Sequence, residues 1–146
     1  MLLTVLAVAV LGGLVAGIVV ARGGSSPEGP PGVLAKGTFR SVSWTTSGTA
    51  AIVRDASGHV KLRLSKTFYT RRAPDLWVYL ARWKGGYEHG RRLEWKLVGG
   101  LRQPWGSQEF NLPSDAAREV GASVVIYCGE CGKINGLAHL GPAGAS

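Results

Sequence analysis

Only two cysteines and three histidines occur among the 146 residues, and their scarcity narrows the available chemistry. A closed four-ligand zinc site draws on paired cysteines and histidines. Beside Cys128 and Cys131 the chain offers only His59, His89 and His139, which argues against such a site and leaves any looser metal site unspecified. Covalent c-type haem attachment needs a histidine directly after the second cysteine, and position 132 is glycine. No Ser-His-Asp order, paired-carboxylate motif or phosphate loop is recognisable, so hydrolase and kinase readings have nothing to stand on. Internal repeats are absent, and beyond the N-terminal stretch no segment patterns as a long helix. Acidic side chains are also few, nine against seventeen Lys and Arg, for a formal net charge of +8.

Both cysteines fall in one stretch. The apolar run Ser123-Val124-Val125-Ile126-Tyr127 favours a pleated, half-buried surface and reads as a core strand, with Cys128 at its end and Cys131 just beyond. If the strand simply continued, residues three apart would be separated by roughly 10 Å, far beyond disulfide reach. The sulfurs can meet only across a turn, which Gly129 and Gly132 make easy without requiring it. A thioredoxin-like site wants a helix starting at the first cysteine, whereas Gly-Glu-Cys-Gly-Lys-Ile-Asn-Gly is a turn-forming sequence. The bland alternative is that Cys128 is a small buried apolar residue.

Leu2 to Ala21 carries no charged side chain and has the length, about 20 residues, needed to span a bilayer as a helix. Val19-Val20-Ala21 supplies small residues for a signal-peptidase site, but the run is long for a cleaved signal and lacks a basic n-region. Residues 1–22 are therefore expected to be a membrane anchor, with a cleaved signal segment as the alternative. Arg22, Lys36 and Arg40 follow the span, a charge bias that by the positive-inside rule would favour a cytoplasmic domain; the expectation adopted is nonetheless an extracytoplasmic one. Residues 23–36 are Gly/Ser/Pro-rich and read as a tether. Residues 37–140 are enough for one compact domain with one core, and residues 141–146 for a flexible tail.

Within the domain, short strands alternate with turn signals. Val60-Lys61-Leu62-Arg63-Leu64 and Leu93-Glu94-Trp95-Lys96-Leu97 alternate apolar and charged residues, so each has one solvated face. Asp75 to Arg82 is apolar on both faces and should be central. Phe39–Trp44, Thr49–Arg54, Gln108–Leu112 and Ser123–Cys128 complete a set of seven strands, with Lys133–Leu140 an eighth. Ser47-Gly48, Ser57-Gly58 and Gly85-Gly86 punctuate them. The expected fold class is all-β, an antiparallel β-sandwich of about seven to eight strands. Ser114 is expected to cap one short helical turn through Arg118.

Several blocks in fixed order carry a family resemblance: Ser47-Gly48-Thr49-Ala50; Leu62-Arg63-Leu64-Ser65-Lys66-Thr67-Phe68; Ala73-Pro74-Asp75-Leu76-Trp77-Val78-Tyr79-Leu80; Gly106-Ser107-Gln108-Glu109-Phe110-Asn111-Leu112-Pro113; and Ser123 to Cys128 followed by Gly136, Ala138 and Leu140. Together they resemble the electron-transfer DM domain (DM-thirteen) family. The resemblance implies an extracytoplasmic all-β domain, found in animals beside DOMON and b-type cytochrome modules and proposed to act in redox modification of cell-surface proteins. It further implies that Cys128 corresponds to the family's characteristic cysteine, a bare thiol or the holder of a prosthetic group such as haem. The chain departs from the family three residues later, where Cys131 replaces the usual aromatic. That thiol gives Cys128 a potential resolving partner, and a thiol locked in a disulfide cannot ligate iron. The cofactor expectation is accordingly haem or none.

Between Lys61 and Arg102 eleven basic residues stand against three acidic ones. Arg71, Arg72, Arg82, Lys84, Arg91 and Arg92 are the candidates for binding an anionic surface. Cations mixed with aromatics also suit a nucleic-acid groove, but for a tethered extracytoplasmic domain the available polyanions are lipid head groups, wall polymers or acidic partner proteins. Two functions follow. One is a membrane-tethered redox domain in which Cys128, with Cys131 as resolving thiol, exchanges electrons or disulfides with another redox protein. The other is a non-catalytic binding sandwich that attaches to an anionic surface.

Overall fold

The computed structural model describes residues 31–84 and 91–144, without the side chains of residues 84 and 91–93. The expected anchor, residues 1–22, lies outside these bounds; among the described residues no helix is long and apolar enough to cross a membrane. The chain forms β1 (Gly32–Ser41), β2 (Thr46–Ser47), β3 (Thr49–Arg54), β4 (Val60–Leu64), β5 (Tyr69–Thr70), β6 (Leu76–Lys84), β7 (Arg91–Gly100), β8 (Gln108–Asn111), a 3-10 helix η1 (Ser114–Arg118), β9 (Ser123–Cys128), β10 (Lys133–His139) and β11 (Gly141–Pro142). The main sheet is antiparallel, in the order β7-β6-β9-β10-β1-β3-β4-β8, with β11 on β1; β2 and β5 form a small ribbon.

The expected antiparallel all-β fold is present, and its two layers are halves of one continuous sheet folded over β1. Gly32 to Thr38 pairs with β3, while Phe39 to Ser41 pairs with β10. A strand that passes from one layer to the other needs a corner, and Gly37 sits there. A Cβ on Gly37 would lie 2.0 Å from the His139 carbonyl oxygen, so only glycine lets the strands approach this closely. The far ends of the sheet also come near each other. Phe110 of β8, at one edge of the sheet, packs over Gly99 of β7, at the other. The result is nearly a barrel.

Alternation along the strands fills the interior: Phe39, Ile52, Leu62, Leu64, Phe68, Val78, Leu80, Val124, Ile126 and Leu140 are all buried in one cluster. As its sequence requires, β6 is central, lying between β7 and β9. Its second face carries Tyr79, Ala81 and Trp83 into a smaller outer cluster with Trp95, Val125, Tyr127 and Leu137. Several strand bounds differ from expectation, and β2, β5 and β11 add to the eight expected strands. β1 starts at Gly32, inside the stretch read as tether, because Ala35 reaches the core. Gly141 and Pro142 pair with β1 instead of trailing away. The helical turn at Ser114 is present as η1, but Pro113 occupies the cap position and no side-chain cap forms.

Candidate redox site

β9 and β10 form a hairpin, with Cys128 paired to Lys133 at its tip. The Gly132 N–H donates to the Cys128 carbonyl at 2.9 Å, and Gly132 takes φ +65°, a left-handed conformation natural to glycine. The intervening loop folds back on itself, and the Cα atoms of Cys128 and Cys131 stand 5.2 Å apart, joined by a disulfide. The turn that sequence left optional is made.

The two sulfurs occupy different surroundings. Cys128 has no solvent exposure, whereas Cys131 is partly exposed among the exposed residues Gly129, Glu130, Gly132 and Lys133. The Cys131 N–H donates to Cys128 Sγ at 3.1 Å, and the Pro74 carbonyl oxygen lies 3.1 Å from the same sulfur. Pro74 arrives through an unusual backbone. Asp75 has φ +57°, the only described non-glycine residue with positive φ, and its carbonyl accepts the Gly129 N–H at 2.9 Å. Its carboxylate accepts the Trp77 indole N–H and fills the space a Cβ on Gly129 would need. A Cβ on Gly129 would displace the Asp75 carboxylate, and Gly132 is favoured by its conformation.

A buried polar knot supports this end of the sheet. Asn135 stands at the β10 bulge, and its Nδ2 donates to Thr70 Oγ1 at 3.0 Å and to the Arg71 carbonyl at 3.2 Å. Thr70 Oγ1 in turn meets Thr46 Oγ1 at 3.0 Å. All three side chains are buried. They fix the segment that continues through Arg71 and Arg72 to Pro74. Sequence reasoning missed Pro74, Asp75, Asn135 and Thr70; the Pro74-Asp75 pair before β6 was the one available signal, as a turn dipeptide.

The family model described as "Electron transfer DM13" matches residues 38–140. The chain belongs to this family. No curated protein and no solved structure matched it. Membership carries an electron-transfer-related role, and Cys128 sits at the end of β9. Haem on Cys128 does not fit this geometry. The sulfur is bonded to Cys131, has no exposure and packs on Pro74, whereas iron ligation needs a free thiolate facing a void. The nearby cleft of about 340 Å³ is lined by Arg72, Asp75, Trp77, Leu101, Arg102 and their neighbours, not by Cys128.

The other candidates disperse. His139 pairs with Ser123, at the end of β10 opposite the disulfide. His59 lies beside Asp55, and His89 falls outside the described residues. Among the described residues no three His, Cys, Asp or Glu side chains gather as metal ligands. The basic residues divide in the same way. Arg71 and Arg72 are exposed at the disulfide end, over the Trp44 and Trp105 rings respectively. Arg82 is about 20 Å further along β6, at some 3.3 Å per residue, where it donates to Glu119 at 3.1 Å and to the Arg118 carbonyl. Lys96 also binds Glu119, at 2.9 Å. Arg82 is therefore committed within the fold. The side chains of Lys84, Arg91 and Arg92 lie outside the described residues.

Proposed function

We propose that the protein is a membrane-tethered, extracytoplasmic redox domain whose working group is the Cys128–Cys131 dithiol–disulfide couple. The observation that carries this reading is the placement of the disulfide: it closes an exposed hairpin loop while one of its sulfurs is anchored at the end of a core strand. A surface loop offers access, and the strand holds the pair in register for re-closure. The loop encloses so few residues that the chain-entropy contribution to stability is only about 2 kcal/mol, less than a staple across a long loop would give. The uncharged run from Leu2 to Ala21 supports a membrane anchor, and a persistent disulfide suits an oxidising compartment.

The partner is another redox protein, and the exposed Arg71 and Arg72 beside the site favour one whose surface around its thiols is acidic. Thiol counting on the full chain, before and after reduction and after reoxidation, tests the reading. It expects no free thiols, then two, then none, with no visible chromophore and no recovery of the couple in Cys128→Ser. A Soret band that disappears in Cys128→Ser, or thiols that never re-pair, would overturn it.

A further inference from the structure

We infer that the couple has a fixed polarity, opposite to the one its sequence suggests: Cys131 is the sulfur that exchanges with the partner, and Cys128 is the internal leaving and resolving group. The inference rests on the redox reading above and adds the direction of attack. Thiol–disulfide exchange proceeds through a thiolate that approaches a sulfur in line with the bond to be broken. At Cys128 that approach is closed, because the sulfur has no exposure and the Pro74 carbonyl stands 3.1 Å away. Cys131 is partly exposed, in a loop whose other residues Gly129, Glu130 and Gly132 are all exposed.

The balance of the step is simple. A thiolate from a protein dithiol attacks Cys131 Sγ; as the new S–S bond forms, the Cys128–Cys131 bond breaks and its electron pair remains on Cys128. The Cys131 N–H, 3.1 Å from Cys128 Sγ, donates to the charge that develops there, and the backbone needs no rearrangement to do so. Breaking the bond frees the Cys131 loop to open, and once Cys128 is protonated the Pro74 carbonyl is in place to accept its S–H. The partner's second thiolate then attacks the partner's own sulfur in the mixed disulfide, releasing Cys131 as a thiolate. The partner leaves as a disulfide and the domain has gained two electrons. In the oxidising direction the same steps run backwards, with Cys131 attacking first.

The test uses full-length protein and glutathione disulfide as the probe. After reduction, the thiol remaining in Cys128→Ala or Cys128→Ser should form a mixed disulfide about 100-fold faster than the thiol remaining in Cys131→Ser, a ratio set by burial. The ratio should collapse towards one in denaturant, and the Cys128→Ala adduct should accumulate because nothing resolves it. Should a variant fail to fold, brief alkylation of reduced wild-type protein followed by peptide mapping gives the same comparison, with Cys131 labelled first. Equal rates, or Cys128 reacting first, in a protein whose wild type still cycles would overturn the polarity alone. A wild type that does not cycle overturns the redox reading, and the polarity with it.

Discussion

At the scale of single residues, the site depends on groups that contribute conformation more than chemistry. Gly132 holds φ +65°, where a Cβ costs roughly 1–2 kcal/mol. Gly132→Ala should therefore lower unfolding stability by about that amount and slow disulfide re-formation after reduction, as read by denaturant titration and by the rate of thiol loss; unchanged re-formation would mean that the turn does not preset the sulfurs. Gly129 is constrained differently, by the Asp75 carboxylate that occupies its missing side chain's place. Asp75 itself adopts the left-handed region without being glycine, a conformation that Asn and Asp tolerate better than most residues. It brings the Pro74 carbonyl onto Cys128. None of this could be read from the Cys-Gly-Glu-Cys spacing, which allowed a disulfide across a turn without requiring one.

At the scale of elements, the hairpin, the segment 69–74 and the start of β6 act as one unit joined by Asn135. Replacing Asn135 by Ala removes both Nδ2 hydrogen bonds and leaves the Arg71 carbonyl without this donor. A cost of about 1–3 kcal/mol is expected, together with faster reduction of the disulfide, since Pro74 would no longer be held against Cys128; a stability loss with unchanged reduction kinetics would separate the knot from the site. At the other end, the hydrogen bond and charge of Glu119 raise the Lys96 pKa above its ordinary 10.5. Because the folded value is the higher one, this contribution is fully present below the ordinary lysine value and fades as pH rises through the folded one. Lys96 is about half exposed, so the effect is small: the stability gap between wild type and Lys96→Met should close in strong alkali, and a gap that widened there would contradict the pairing. Strands with clean alternation or unbroken apolar runs were legible to their ends, as in Thr49–Arg54, Val60–Leu64 and Ser123–Cys128. The start of β1 was not, because the Gly and Pro composition before it hid the inward packing of Leu34 and Ala35.

At the scale of the whole molecule, the fold is one sheet turned on itself at Gly37, and the disulfide stands at one end of its central strands. Gly37→Ala should disrupt the corner, because the new Cβ meets the His139 carbonyl, a backbone atom that cannot swing aside. Loss of soluble folded protein, followed by proteolysis, is the expected readout. Periodicity revealed the longer strands and the interior place of β6 but not the short strands β2, β5 and β11 or this bend, which depends on a contact between residues far apart in sequence. The same limit applies to the basic residues: their density suggested one binding face, whereas the fold commits Arg82 to Glu119 and leaves Arg71 and Arg72 beside the disulfide. The most direct test of the central claim is a titration of the full-length chain through graded dithiothreitol buffers, with free thiols and β-sheet circular dichroism read on each sample. The account predicts that both thiols appear together and vanish together on reoxidation while the sheet signal stays constant. Reduction that occurs only as the sheet unfolds would make the disulfide a structural staple and contradict the account.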